Sequence, residues 1–140
     1  MLALRRLTAG VDDKKKVDAM ATWLLTWNPD RWPWRGLGAT VRRVKDGRSH
    51  TKRWSCAETR GIRQGDRLFM LRQGREPRGI FASGWATKDA YRDEHWDDTA
   101  GSPTTMYVDL KFDALLHPLK EPILPRAALD DGPLGDVHWN

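Results

Sequence analysis

The segment from Thr104 to Leu115, TTMYVDLKFDAL, alternates apolar and polar side chains along its length. In an extended chain successive side chains point to opposite faces. Met106, Val108, Leu110 and Phe112 therefore share one face. Such a strand belongs on a sheet with one side against a core, because a slip of one residue would turn every apolar group to water. This single element commits the chain to a β-dominated frame.

The neighbouring segments fit that frame. Residues 21–27 (ATWLLTW) read as a strand with Trp23, Leu25 and Trp27 on one face, stopped by the turn cluster Asn28-Pro29-Asp30. Arg31 to Arg35 is broken by Pro33. Residues 37–46 predict a short helix, with Leu37, Val41 and Val44 one turn apart and Gly47 to end it. Strands are expected at 51–56, 67–72 and 80–87, the last two joined by a hairpin loop at 73–79. Gly84, inside the third, predicts a bulge or a close backbone approach. Residues 90–102 read as a polar, acidic loop, 117–122 as a connector, and 125–129 as one helical turn with a proline near its start. The result is an α+β domain, a mostly antiparallel barrel of five or six strands with short helices, over residues 20–140. Residues 1–19, with the run Lys14-Lys15-Lys16, are expected to be a disordered or weakly helical basic extension.

Charge narrows the function. Residues 1–80 hold 19 Lys and Arg against 8 Asp and Glu, a net of +11, whereas residues 81–140 hold 5 against 11, a net of −6. A basic half this lopsided suits a polyanion. No apolar run is long enough to span a membrane, and one cysteine among 140 residues excludes an internal disulfide. The expectation is a soluble cytoplasmic protein.

Catalytic signatures are missing. His50, His95, His117 and His138 share no metal-ligand spacing. The acidic run Asp93 to Asp98 lacks the spacing of a calcium loop and reads as solvated. Cys56, in a positive neighbourhood, is a weak candidate nucleophile and a better buried hydrophobe. No catalytic residue, metal or cofactor is expected.

Binding signatures are stronger. Eight tryptophans accompany three phenylalanines and two tyrosines. Aromatic groups on loops and strand ends, interleaved with arginine, are the parts of a base-stacking site. Trp23 and Trp85, in mid-strand, are expected in the core. Trp54 and Trp96 are the expected walls of a base pocket. Asn28, Ser55 and Gln73 are the candidate readers of the base edge, and Trp27, Cys56 and Leu71 complete the pocket. Arg31, Arg35, Arg42, Arg43, Lys52, Arg53, Arg72, Arg75 and Arg78 are the candidates for holding phosphates.

The ordered motifs resemble a known family. Trp23 to Trp32 (WLLTWNPDRW) is similar to the opening of EVE domains. Trp54-Ser55-Cys56, then Ile62 to Gly74 (IRQGDRLFMLRQG) and Gly79 to Trp85 (GIFASGW), are similar to their middle. Tyr91 to Trp96, Tyr107 to Asp113 and Ile123-Leu124-Pro125 continue in order, so the resemblance spans about residues 21–129. It is closest to EVE domains fused to HNH endonucleases. The resemblance implies a PUA-like fold, shared with YTH and SRA domains, which hold an extruded modified base between aromatic walls. Trp54-Ser55-Cys56 is similar to the segment that forms one wall in YTH domains, and Trp96 matches the second wall by order. The implied ligand is 5-methylcytosine or 5-hydroxymethylcytosine in DNA, with a modified or structured RNA as the alternative. The implied partner is a nuclease domain or subunit of a modification-dependent restriction system. The fused proteins continue past the position of Asn140, which implies a domain truncated at its C-terminus. No HNH-like constellation is present.

Overall fold

The computed structural model describes residues 20–129 and the backbone of Arg5–Leu7. The remainder of the basic extension and residues 130–140, with His138 and Trp139, lie outside the described residues. Eight strands and two helices follow in order: β1 (Arg5–Leu7), β2 (Thr22–Trp27), α1 (Leu37–Lys45), β3 (Thr51–Ser55), β4 (Arg67–Arg72), β5 (Gly79–Ala86), β6 (Tyr91–Glu94), β7 (Thr104–Leu115), β8 (Leu124–Pro125) and α2 (Arg126–Leu129). They form one sheet in the order β1-β2-β4-β5-β7-β3. Among the described residues only β2 and β4 run parallel, and every other pair is antiparallel. The α+β, mostly antiparallel expectation holds.

The alternating strand is the hub. One edge of β7 pairs with β3 over Tyr107–Lys111. Its other edge pairs with β5 over Leu110–Leu115 and with β6 over Thr104–Tyr107. Each of the two short strands fills an edge that the staggered β5–β7 pair leaves open, since β8 lies beside Gly79 and Ile80 of β5. The stagger explains why the polar segment YRDE is a strand and not the expected loop. Its hydrogen bonds come from the unoccupied edge of β7, which nothing in its own composition announces. Likewise, Arg5–Leu7 of the supposedly disordered extension pairs with Thr22–Leu24 of β2.

Met106, Val108, Leu110 and Phe112 all enter the main core, with Leu25 and Trp27 of β2 and Leu68 and Met70 of β4. Leu24, Leu71 and Leu129 form a smaller cluster of their own. Leu71, expected in the base pocket, is thus 1% exposed and committed to packing under α2. The predicted irregularity at Gly84 is present as a register shift between Ser83 and Gly84. A Cβ at Gly84 would lie 2.1 Å from the Lys111 carbonyl oxygen, so only glycine lets β5 approach β7 this closely. The extra residue of that shift is Asp113 of β7; β5 itself changes phase earlier, where Phe81 is the extra residue opposite Met70 and Leu71 of β4. Trp85, expected in the core, points outward, 39% exposed, with the Arg67 guanidinium 4.4 Å over its ring.

The curled sheet brings β3 toward the far edge of β2. The Trp54 indole donates to the Thr26 carbonyl at 3.0 Å and bridges the seam. Trp54 has no exposed surface and packs edge-on against Trp32, with Trp34 5.4 Å away. Trp23 is half-buried, and its indole donates to Asp66 Oδ2 at 2.8 Å.

Candidate nucleic-acid interface

Two cavities flank the loop of residues 28–35 that follows β2. Local chemistry builds that loop. Asn28 Oδ1 accepts the Asp30 N–H at 3.0 Å, an Asx turn, and the Asn28 carbonyl accepts the N–H groups of Arg31 and Trp32. The Trp27 indole donates to the Trp32 carbonyl at 2.8 Å. Asn28, a candidate edge reader, therefore has its side-chain oxygen engaged in the turn.

The first cavity, about 320 Å³, is where three expected residues meet: Arg31 from the loop, Ser55 from the end of β3, and Trp96 from the segment after β6. Strand and loop chemistry hold each wall. The Tyr107 hydroxyl donates to the Glu94 carbonyl at 2.6 Å, and the His95 N–H donates to Pro103 O at 2.9 Å, anchoring both ends of the Trp96 loop. His95 packs on Trp96 with rings 5.7 Å apart. The Trp96 indole N–H is buried and has no acceptor among the described residues. Ala57, absent from the sequence-based candidates, also lines this wall, in the left-handed region at φ 52°. Such a conformation costs a non-glycine residue about 1–2 kcal/mol. Hydrogen bonds from Met106 N (2.8 Å) and Thr105 Oγ1 (3.0 Å) to its carbonyl hold it there. An alanine in a loop carries no sequence signal for this.

Two carboxylates rim the same cavity. Hydrogen bonds from the Thr99 hydroxyl and backbone hold Asp97 below the usual carboxylate range. The Arg92 hydrogen bond does the same for Glu58. Both are ionised acceptors at neutral pH.

The second cavity, about 480 Å³, lies on the other side of the loop and gathers Trp27, Arg35, Arg72 and Arg75 with Trp34. Other expected residues are placed differently. Trp54, the expected wall, lies entirely in the core and is not among the groups lining the first cavity. Cys56 is also fully buried, and burial pushes its thiol up to about 12, contrary to an activated nucleophile. Arg72, expected at a phosphate, is only 4% exposed. Its Nη1 donates to the Arg75 and Pro77 carbonyls and ties down the β4–β5 loop. Gln73 follows β4, and its N–H donates to the Trp27 carbonyl at 2.8 Å.

The remaining cations form a discontinuous surface. Arg42 and Arg43 sit in the last turn of α1, where they also complement the helix dipole, and line a shallow basic depression with Arg48. Lys52 lies over Trp32 at 4.8 Å and Trp34 at 5.0 Å, and burial lowers its pKa. Arg53 covers the Tyr107 ring at 4.1 Å and pairs with Asp93 at 3.2 Å. Arg75 pairs with Asp30 at 2.7 Å, and Arg78 pairs with Glu76 at 2.9 Å. Exposed pairs like these exchange readily for a phosphate, because each contributes little by itself.

The fold, a curled and mostly antiparallel sheet with two short helices, is shared with several solved structures. The particular resemblance is to the DUF55 domain of human thymocyte nuclear protein 1, with 20% identity, a TM-score of 0.52, and 83% of this chain and 82% of that one covered. A structure of human THYN1 protein in complex with 5-methylcytosine-containing DNA is similar at 18% identity and a TM-score of 0.51, with the same coverage. A hypothetical protein from Leishmania major is similar at 18% identity and a TM-score of 0.57, with 84% of this chain and 78% of that one covered. No protein-family model and no curated protein sequence matches the chain. Among the described residues no cluster of three metal-ligating side chains occurs, and no helix is long and apolar enough to cross a membrane.

Proposed function

We propose that this chain is a non-catalytic reader of modified nucleic acid, which takes a flipped 5-methylcytosine or 5-hydroxymethylcytosine from DNA into the cavity of Arg31, Ser55 and Trp96. The observation that carries the reading is the convergence of these three residues, from three separate segments, on one space of about 320 Å³. Trp96 supplies a stacking face. The Ser55 hydroxyl donates or accepts at the base edge. Asp97 or Glu58, both ionised, accepts from the exocyclic amino group of cytosine, a pairing that suits this base. Arg31 neutralises the phosphate of the extruded nucleotide. Arg42, Arg43 and Arg53 hold the flanking backbone without reading sequence.

The human neighbour bound to 5-methylcytosine DNA supports this reading at the level of the fold. Cleavage falls to a separate nuclease domain or subunit of a modification-dependent restriction system, a role that rests on the sequence resemblance to EVE domains fused to HNH endonucleases.

The test is a titration against matched duplexes carrying cytosine, 5-methylcytosine or 5-hydroxymethylcytosine. A methyl-sized group in an apolar pocket discriminates by about 1–3 kcal/mol, so a preference of roughly tenfold or more is expected. Ser55→Ala and Trp96→Ala should erase the preference while leaving general affinity in place. Equal affinity for all three duplexes overturns the proposal. RNA of the same sequence binding better than DNA would favour an RNA module instead, since the 2′-hydroxyl separates the two.

A further inference from the structure

The second cavity has a chemistry that the reader function does not use. Its wall on the side of the 28–35 loop is apolar, built from Trp34 and Pro33, with Pro118 of the 117–122 connector opposite. Trp34 is nearly buried and presents only a small part of its ring. Around this wall stand Arg35, Arg72 and Arg75, together with Glu76, whose carboxylate is engaged by Arg78 at 2.9 Å. Arg35 is exposed and has no ion pair among the described residues. Arg75 has only its exposed pair with Asp30.

Arg72 lies at the foot of the site. It is 96% buried, its guanidinium is 5.7 Å from the Trp27 ring, and its hydrogen bonds go to carbonyls, not carboxylates. Its Nε is buried with no acceptor among the described residues. Among the described residues no carboxylate is hydrogen-bonded to Arg72, and the nearby Asp30 and Glu76 are paired with Arg75 and Arg78, so the group of charges stays net positive in a medium of low dielectric. An anion entering above it offsets that charge. The aromatic and proline wall calls for a flat apolar group attached to the anion, and a nucleotide combines the two.

We propose that this cavity is a second nucleotide-binding site, which seats a base against Trp34, Pro33 and Pro118 and places its phosphate at Arg35 and Arg75 above Arg72. The site shares no residue with the Arg31–Ser55–Trp96 cavity and does not depend on the reader function. The loop of residues 28–35 is the wall between the two, with Arg31 facing one side and Arg35 the other. The nucleotide comes either from the strand bound at the first cavity or from free mononucleotide.

Calorimetric titration of the full chain with deoxyadenosine monophosphate, deoxyadenosine and inorganic phosphate tests the site. The nucleotide should bind at least tenfold more tightly than either fragment. The exposed double substitution Arg35→Ala/Arg75→Ala should weaken nucleotide binding about tenfold or more, whereas Trp96→Ala should leave it unchanged. If the double variant also weakens DNA binding, and the nucleotide competes with DNA, the occupant is a nucleotide of the strand. If DNA affinity is unaffected, the occupant is free nucleotide. The proposal is overturned if the monophosphate does not bind, if it binds the double variant as well as the original chain, or if Trp96→Ala abolishes its binding. Loss of methylcytosine preference alone would sink the reader function and leave this site standing.

Discussion

Replacing Trp54 with phenylalanine separates its role in the seam from a role in the base pocket. The carbonyls of β2 alternate sides. That of Trp27 meets the Gln73 N–H on the β4 side, so that of Thr26 faces the opposite edge, where the Trp54 indole donates to it at 3.0 Å. Phenylalanine keeps an aromatic ring but leaves the Thr26 carbonyl unsatisfied, at a cost of about 1–3 kcal/mol. The lost ring volume, inside a cluster with Trp32 and Trp34, adds about 1 kcal/mol. The expected destabilisation is therefore about 2–4 kcal/mol. Unfolding entropy near 2.1 cal/mol/K per residue gives roughly 0.3 kcal/mol/K for a chain of 140 residues. The midpoint should fall by roughly 7–14 °C in a thermal melt followed by circular dichroism. Below the melt, the variant should keep its order of preference among the modified duplexes. A melting point within about 2 °C of the original, together with loss of modified-base preference, would refute this reasoning and restore Trp54 as a base wall.

Gly84→Ala should lower the urea midpoint sharply, because its Cβ would meet the Lys111 backbone oxygen at 2.1 Å; an unchanged midpoint would mean that β5 and β7 separate easily. Cys56 should resist a thiol reagent at pH 8 until the protein unfolds, and stability should fall with pH above about 9. The buried thiol keeps its proton up to about 12, whereas the unfolded thiol ionises near its ordinary value, so the unfolded state holds fewer protons across that window. Rapid modification of the folded chain at pH 8 would contradict that burial. Arg42→Ala/Arg43→Ala should weaken binding equally on all three duplexes and reduce the slope of log affinity against log salt by about two, measured by fluorescence anisotropy; an unchanged slope would remove both residues from the backbone contact.

Much of the frame was legible because it is local. Alternation placed Met106, Val108, Leu110 and Phe112 on the core side of β7, and Gly47 closed α1 with positive φ. Gly84 announced the close approach of β5 to β7 but not the orientation of Trp85. The phase of β5 is reversed at a different place, by the extra residue Phe81 in its pairing with β4, which is why Trp85 is outside. The candidate site was legible only in part. The chemistry of Arg31, Ser55 and Trp96 points to a site, and they do line one cavity, Ser55 with only 2% of its surface exposed; the same chemistry points to Trp54, Cys56, Leu71 and Arg72, which are buried and do not line it.

Residue type and spacing by themselves determined which segments extend, where they turn, and that the basic charge lies in the first 80 residues. Those properties depend on backbone preference and on neighbours within a few positions. Only the tertiary structure decided which tryptophans are walls and which are mortar. An inward-facing side chain meets either packed protein or open space, depending on what distant strands bring opposite it. At Trp54 the curl of the sheet brought β2 and Trp34; beside Ser55, one residue later, it brought Trp96 and a cavity.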